Sequence, residues 1–141
     1  MKRVLVTAAS AAIALAAPGA AAGAVQTDFK AWKVETKNGR RHSVEPGASF
    51  DRCGRTVVQV IATYDYSGAQ QGKAYNQIWS LDGTDVFEKP SSWKHTNGTV
   101  HLGLFKNSGK PLEDGKYRLR LRQSGKGIGS SSIRIRPGAG C

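Results

Sequence analysis

Residues 116–136 read KYRLRLRQSGKGIGSSSIRIR, and this stretch decides the fold class of the chain. In both of its halves, apolar residues alternate with basic ones at the period of two that is typical of a β-strand with one buried face. A Gly- and Ser-rich connection separates the halves. The pattern predicts a β-hairpin whose core side carries Tyr117, Leu119, Leu121, Ile133 and Ile135.

The other side of this hairpin is cationic. The stretch holds seven Lys or Arg residues and no Asp or Glu. Like charges directly opposite each other on neighbouring strands destabilise a sheet, so the arrangement needs spare stability elsewhere or an anionic partner. The candidate polyanion-binding residues are Lys116, Arg118, Arg120, Arg122, Lys126, Arg134 and Arg136.

Two interpretations of this basic surface remain open. In the first, it binds an anionic polysaccharide, lipid or cell-wall phosphate, because the planar guanidinium of Arg suits phosphate, sulfate and carboxylate groups. In the second, it is the solvated face of an edge hairpin, where Lys and Arg discourage strand aggregation. Mixed charges would serve solubility without cross-strand repulsion, which favours the first. Sequence-specific nucleic-acid recognition is not expected, because no recognition helix is predicted and aromatic residues do not interleave the cations.

The amino-terminal residues predict export from the cytoplasm. A basic start, Lys2 and Arg3, precedes an apolar run over residues 4–17 that is too short to span a membrane comfortably. Small residues follow, and Val25 is the expected first residue after cleavage. We therefore interpret residues 1–24 as a cleaved signal peptide of a secreted protein, periplasmic or extracellular. An uncleaved membrane anchor is the alternative.

The mature chain is expected to be one basic domain over residues 25–141. Removing 24 of the 141 residues leaves 117, enough for a single domain that buries about two-thirds of its unfolded-chain surface. Loss of Lys2 and Arg3 leaves 19 of the 21 Lys and Arg against ten Asp and Glu, a formal charge of +9. No second apolar run is long enough for a transmembrane segment.

Two cysteines remain in the mature chain. An exported protein meets an oxidising compartment in which paired thiols close, so we predict a disulfide between Cys53 and Cys141. An intermolecular bridge and a free redox thiol are the alternatives. No Cys-x-x-Cys motif and no zinc-type spacing with His supports a redox or metal role.

The rest of the chain reads as short strands between turns. Asn38-Gly39 and Asp82-Gly83 each lie between strand-like segments, which indicates hairpins. Outside the signal peptide, no run of ten residues places apolar side chains at helical spacing. The chain is therefore predicted to be all-β with about seven short strands in an antiparallel sandwich. The predicted strands outside residues 116–136 are 29–36, 41–45, 57–66, 74–81, 84–88 and 99–105.

Residues 111–121, PLEDGKYRLRL, carry a resemblance to known domains. The turn that enters an alternating strand resembles the E-to-F corner of immunoglobulin-like and fibronectin-III-like domains of secreted bacterial proteins. The resemblance covers about residues 53–137 and implies that Tyr117 hydrogen-bonds back to the corner and that Trp79 is the core Trp of strand C. It departs from antibody-type domains because Cys53 and Cys141 are not placed for a bridge between strands B and F. Such sandwiches serve many functions, so the resemblance implies a fold and not an activity.

The sequence contains no recognisable catalytic, metal-binding or cofactor-binding motif. His42, His95 and His101 lie on separate segments without a nucleophile elbow or a zinc helix. Asp82 and Asp85 lack the spacing of an EF-hand calcium loop. Residues 125–130 are Gly-rich, but they open no helix that could bind phosphate, so we interpret them as a mobile hairpin tip.

Three functions remain. We expect a non-enzymatic binding module that uses the cationic hairpin, with Trp32 or Trp93 adding contacts to sugar rings. The alternative is a structural or accessory protein whose exposed strand edge pairs with a protein partner. An enzyme is the last option, and it would require His95, His101, Glu113 and Asp114 to converge in space.

Overall fold

The structure, a computed structural model, describes residues 24–139 and 141. The predicted signal peptide lies outside the described residues except for Ala24. Nine strands occupy the described part of the chain. In order they are β1 (Gln26–Thr36), β2 (Arg41–Val44), β3 (Ser49–Asp51), β4 (Val57–Ser67), β5 (Ala74–Leu81), β6 (Thr84–Ser92), β7 (Gly98–Phe105), β8 (Gly115–Gln123) and β9 (Lys126–Arg136).

The strands form two sheets around one hydrophobic core. One sheet has four strands in the order β2-β1-β4-β7, and the other has five in the order β3-β9-β8-β5-β6. The pairing of β3 with β9 is parallel, and the other pairings are antiparallel. The predicted immunoglobulin-like β-sandwich is confirmed. Residues 24–139 contain no helix long and apolar enough to cross a membrane.

The core is built from the inward side chains of both sheets. Trp32 on β1 and Trp79 on β5 are fully buried, and their ring centroids lie 5.8 Å apart in an edge-to-face arrangement. The predicted core position of Trp79 is therefore confirmed. Each of the five apolar residues predicted for the hairpin, from Tyr117 to Ile135, is at most 1% exposed. The hairpin of β8 and β9 thus supplies a large share of the five-stranded sheet's inner face.

A two-residue turn joins β8 to β9. Ser124 and Gly125 have φ angles of 53° and 78°, which suits the tight hairpin turn that matches the twist of the flanking strands. The prediction that residues 125–130 connect the two strands is wrong, because β9 already begins at Lys126 and Gly127, Gly129 and Ser130 pair with β8. The mobility of the hairpin tip stays a prediction. One of the glycines has a packing role, because a Cβ on Gly129 would lie 2.1 Å from Thr27 Oγ1.

Tyr117 fastens the turn that leads into β8. Its buried hydroxyl donates a hydrogen bond to the backbone carbonyl of Glu113 at 2.5 Å, which is the corner bond that the sequence resemblance implies. Burial raises the pKa of the Tyr117 hydroxyl, and the nearby carboxylates of Glu113 and Asp114 add to this effect. The hydroxyl therefore stays protonated and remains a donor at physiological pH.

The predicted disulfide between Cys53 and Cys141 is confirmed, with the two Cα atoms 5.5 Å apart. Two hydrogen bonds continue the parallel pairing of β3 with β9 as far as the bridge. The N–H groups of Arg52 and Cys53 donate to the carbonyls of Arg136 and Pro137. Closing a loop with a sequence separation of 88 is worth about 4 kcal/mol in the chain-entropy model. The bridge holds β3 at the edge of the sheet.

We predict that Tyr117→Phe lowers the free energy of unfolding by about 1 kcal/mol, because the Glu113 carbonyl loses its donor while the ring still fills the core. Urea denaturation followed by tryptophan fluorescence measures the change. An unchanged denaturation midpoint would contradict a stabilising role for the corner bond.

Candidate anion-binding face

The structure brings six of the seven predicted cations onto one surface, the outer side of the five-stranded sheet. Because the inward neighbours of these residues are buried, the pleat places the six on the opposite side. The six residues, which we call the cationic face, are Lys116, Arg118, Arg120 and Arg122 on β8 and Arg134 and Arg136 on β9.

Lys126 lies apart from the cationic face. It pairs with Gln123, and directly paired residues point to the same side of a sheet. The Gln123 side chain accepts a hydrogen bond of 2.7 Å from the indole N–H of the buried Trp93, so this pair is on the core side of the hairpin end. The structure therefore separates Lys126 from the other six candidates.

Serines relieve much of the expected repulsion across the hairpin. Arg118 is opposite Ser132 and Arg120 is opposite Ser130 in the register of β8 and β9. The guanidinium of Arg118 also lies 3.4 Å from the Ser130 hydroxyl. Within this hairpin, Lys116 and Arg134 form the one directly opposed pair of cations.

Carboxylates at the two rims of the sheet neutralise two members of the face. Asp51 on β3 binds Arg136, with Oδ1 2.9 Å from Nε, and Asp85 on β6 binds Arg120. The hydrogen bond from Arg136 holds the pKa of the Asp51 carboxyl below its ordinary value. Asp51 thus stays ionised, and the pair intact, into more acidic solution than a free Asp would allow. Arg122 has a different partner, since its guanidinium donates to the Gly125 carbonyl.

Three exposed cations at the centre of the face have no carboxylate partner among the described residues: Lys116, Arg118 and Arg134. We call them the central cation cluster. Hydroxyl groups surround it, because Ser80 of β5 and Ser132 of β9 flank Arg118 and Ser49 of β3 flanks Arg134. A shallow depression of about 420 Å³ lies beside the cluster, lined by Ser80, Gly83, Asp85, Lys116, Arg118 and Arg120. Cations with adjacent hydroxyl donors suit the oxygens of phosphate, sulfate or carboxylate.

The outer side of the four-stranded sheet has a different charge pattern. Lys30 lies 2.7 Å from Asp28 and 3.9 Å from Asp65, and Arg41 lies 3.1 Å from Glu35. On this side, acids and bases are interspersed and paired. The same fold therefore presents a mixed outer surface on one sheet and a cationic one on the other.

The groups proposed for an enzyme do not come together. His95 and His101 line one cleft, but Glu113 binds Lys106 and Asp114 binds Arg52 elsewhere. His101 is hydrogen-bonded to Thr63 on the outer side of β7 and β4. In residues 24–139, no three His, Cys, Asp or Glu side chains are grouped as metal ligands would be. The absence of enzymatic activity stays a prediction.

Two tryptophans do not have the exposure that the sequence analysis expects. Trp32 and Trp93 are 0% and 1% exposed, so neither ring face is open to a sugar, and this expectation is wrong. Conversely, Asp51 and Asp85 have a role at the site that the sequence analysis missed. Each acid lies far along the chain from its Arg, and only the strand register brings them together.

No protein-family model and no curated protein sequence matches the chain. Among solved structures, the chain is similar to an immunoglobulin-like protein from Pseudomonas aeruginosa. The identity is 14% and the TM-score 0.48, and the similarity covers 82% of this chain and 99% of the other. The strand order of the two sheets, β2-β1-β4-β7 and β3-β9-β8-β5-β6, defines the fold.

We predict that the double substitution Asp51→Asn and Asp85→Asn strengthens binding to heparin, a sulfated polyanion probe, because it releases Arg136 and Arg120. The slope of log K against log salt should steepen by about two, one unit for each released cation.

The matched control is Asp28→Asn with Glu35→Gln, which changes the net charge equally but acts on the other sheet. An equal gain in both variants would mean that net charge and not the cationic face governs binding. Affinity measured by fluorescence anisotropy over a salt series distinguishes the two results.

Proposed function

We propose that this protein is a secreted, non-enzymatic binding module that holds an anionic polymer, a polysaccharide, lipid surface or cell-wall phosphate, on its cationic face. The observation that carries the proposal is the central cation cluster. Lys116 and Arg134 are directly opposed, Arg118 follows on the same side, and none of the three has a carboxylate partner among the described residues.

The position of the acids supports this proposal. Like charges directly opposite each other on neighbouring strands destabilise a sheet, and a carboxylate nearby would remove the repulsion. Yet Asp51 and Asp85 lie at the rims of the sheet. Asp82 lies beside Lys116 but accepts from its backbone N–H and forms no ion pair with its ammonium group, so the central side chains keep their positive charge. An anionic ligand at the centre would supply the missing negative charge and thereby stabilise the folded protein.

Solubility does not explain the pattern. The outer side of the four-stranded sheet faces solvent with paired charges such as Arg41 and Glu35. A surface of mixed charge is therefore compatible with this fold. On the cationic face, two acids, Asp51 and Asp85, stand against six cations, so a net positive charge remains. A surface with an excess of positive charge attracts polyanions and raises their local concentration.

The geometry of β8 suits an extended chain better than a compact ion. Side chains on one side of a strand repeat at about 7 Å, twice the rise per residue. A polymer that lies along β8 would meet Lys116, Arg118, Arg120 and Arg122 in turn. Arg134 and Arg136 on the neighbouring strand β9 add a second row of cations beside it.

The test compares a triple variant, Lys116→Gln, Arg118→Gln and Arg134→Gln, with wild type for binding to heparin and to vesicles that contain anionic lipid. We expect the variant to bind at least tenfold more weakly at low salt, and the slope of log K against log salt to fall by about two to three. The expected loss follows from fewer counterions released per bound protein.

The matched control for this test is Lys30→Gln, Lys33→Gln and Arg41→Gln, which removes three positive charges from the other sheet. It should retain most of the wild-type affinity. Equal loss in the two triple variants, or binding that is insensitive to salt, would contradict the proposal.

A second candidate function is strand pairing with a protein partner through the free edge of β6. Eight of its nine residues are exposed, and Val86 and Phe87 are apolar side chains with 50% and 43% exposure. Lys89 and Pro90 in the same strand oppose pairing over its second half. Complexes formed by strand addition would persist at high salt, so the same salt series separates the two functions.

A further inference from the structure

A cleft of about 600 Å³ opens on the side of the sandwich where β6 ends and β7 begins, away from the residues of the cationic face. One wall comes from residues 91–95 and the other from residues 98–102, with Tyr66 and Tyr75 at the base. This volume is in the range of sites for small organic ligands. The lining contains no Asp or Glu.

The base of the cleft is a rigid aromatic stack. Trp93 is stacked on Tyr75 with ring centroids 4.0 Å apart, and Tyr66 packs on Trp93 at 4.5 Å. The Trp93 indole is held by its hydrogen bond to Gln123. Because these side chains are already packed in place, a ligand would not have to order them, and this lowers the entropic cost of binding.

One polar group at the base, the Tyr66 hydroxyl, has no hydrogen-bond partner among the described residues. The Tyr66 side chain lines the cleft and is 6% exposed, yet its hydroxyl makes no hydrogen bond to any described residue. The neighbouring hydroxyl of Tyr75, in contrast, is hydrogen-bonded to the Tyr64 hydroxyl at 2.8 Å. A buried hydroxyl without a partner is costly, and nearly all such groups in folded proteins are satisfied by protein, water or ligand.

Gly98 keeps this hydroxyl accessible. It faces Tyr66 in the register of β4 and β7, and a Cβ there would lie 3.3 Å from the Tyr66 hydroxyl oxygen. A side chain here would also crowd the Tyr66 ring, whose nearest carbons would lie 3.4 and 3.5 Å from that Cβ. Glycine therefore leaves space beside the hydroxyl at the base of the cleft.

We infer that the cleft binds a saccharide ring. Val100 and Leu102 supply apolar surface for the C–H face of a sugar, and the hydroxyls of Tyr66 and Ser92 with the ring nitrogens of His95 supply hydrogen-bonding groups for its hydroxyls. Lys94 also lines the cleft, and its ammonium group can donate to a sugar hydroxyl. Apolar surface beside several hydrogen-bonding groups suits a hydroxyl-rich ring better than a purely apolar molecule. This site is independent of the cationic face.

The test is an NMR titration of the ¹⁵N-labelled protein with glucose, galactose and N-acetylglucosamine at millimolar concentrations. We expect saturable shifts for the backbone amides of residues 91–102 and for the Trp93 indole with at least one sugar. Tyr66→Phe should weaken that binding about three- to tenfold, because one neutral hydrogen bond is lost and the ring is kept.

Two controls keep the test specific. Tyr117→Phe makes the same chemical change at the remote corner and should bind the sugar as wild type does. The triple variant of the central cation cluster should also bind normally, so failure of the polyanion proposal leaves this one standing. The inference is overturned if no sugar shifts residues 91–102 saturably, if Tyr66→Phe binds as wild type does, or if either control loses binding.

Discussion

The strict alternation of side chains along β8 and β9 is the constraint on which the rest of the structure depends. Successive residues of a strand point to opposite sides, so burial of Leu119 at 0% exposure forces Arg118 and Arg120 onto the outer surface. A slip of one residue would carry the arginines into the core, which packing does not tolerate. The side of the sheet on which these cations lie is therefore determined by the packing of the core.

The edges of the five-stranded sheet determine how much of that charge is available. At one edge the disulfide of Cys53 and Cys141 secures β3, which brings Asp51 to Arg136. At the other edge β6 brings Asp85 to Arg120. At the centre, Asp82 accepts a hydrogen bond of 2.8 Å from the Lys116 backbone N–H, but no described carboxylate forms an ion pair with Lys116, Arg118 or Arg134. The unpaired charge is therefore concentrated where β8 and β9 run side by side.

Period-two patterns and turn pairs predicted most of the strands, including 74–81 to the residue, because these signals are local. The three-residue β3 is too short to show a period, and the pairing of its Asp51 depends on a long-range parallel register. Alternation alone predicted that Arg118 points outward. Lys126 does not lie on the cationic face as expected, because a register shift between Leu121 and Arg122 reverses the alternation before it. The core position of Trp93 could not be predicted either, since it lies outside any regular strand.

The most direct measurement of the central claim is an NMR titration of the ¹⁵N-labelled protein with a heparin oligosaccharide at physiological salt, observing backbone amides and arginine Nε–H groups. We expect saturable shifts centred on Lys116, Arg118 and Arg134 and on Ser132 between them. Shifts confined to the four-stranded sheet, or no saturable shift on β8 and β9, would contradict the central claim.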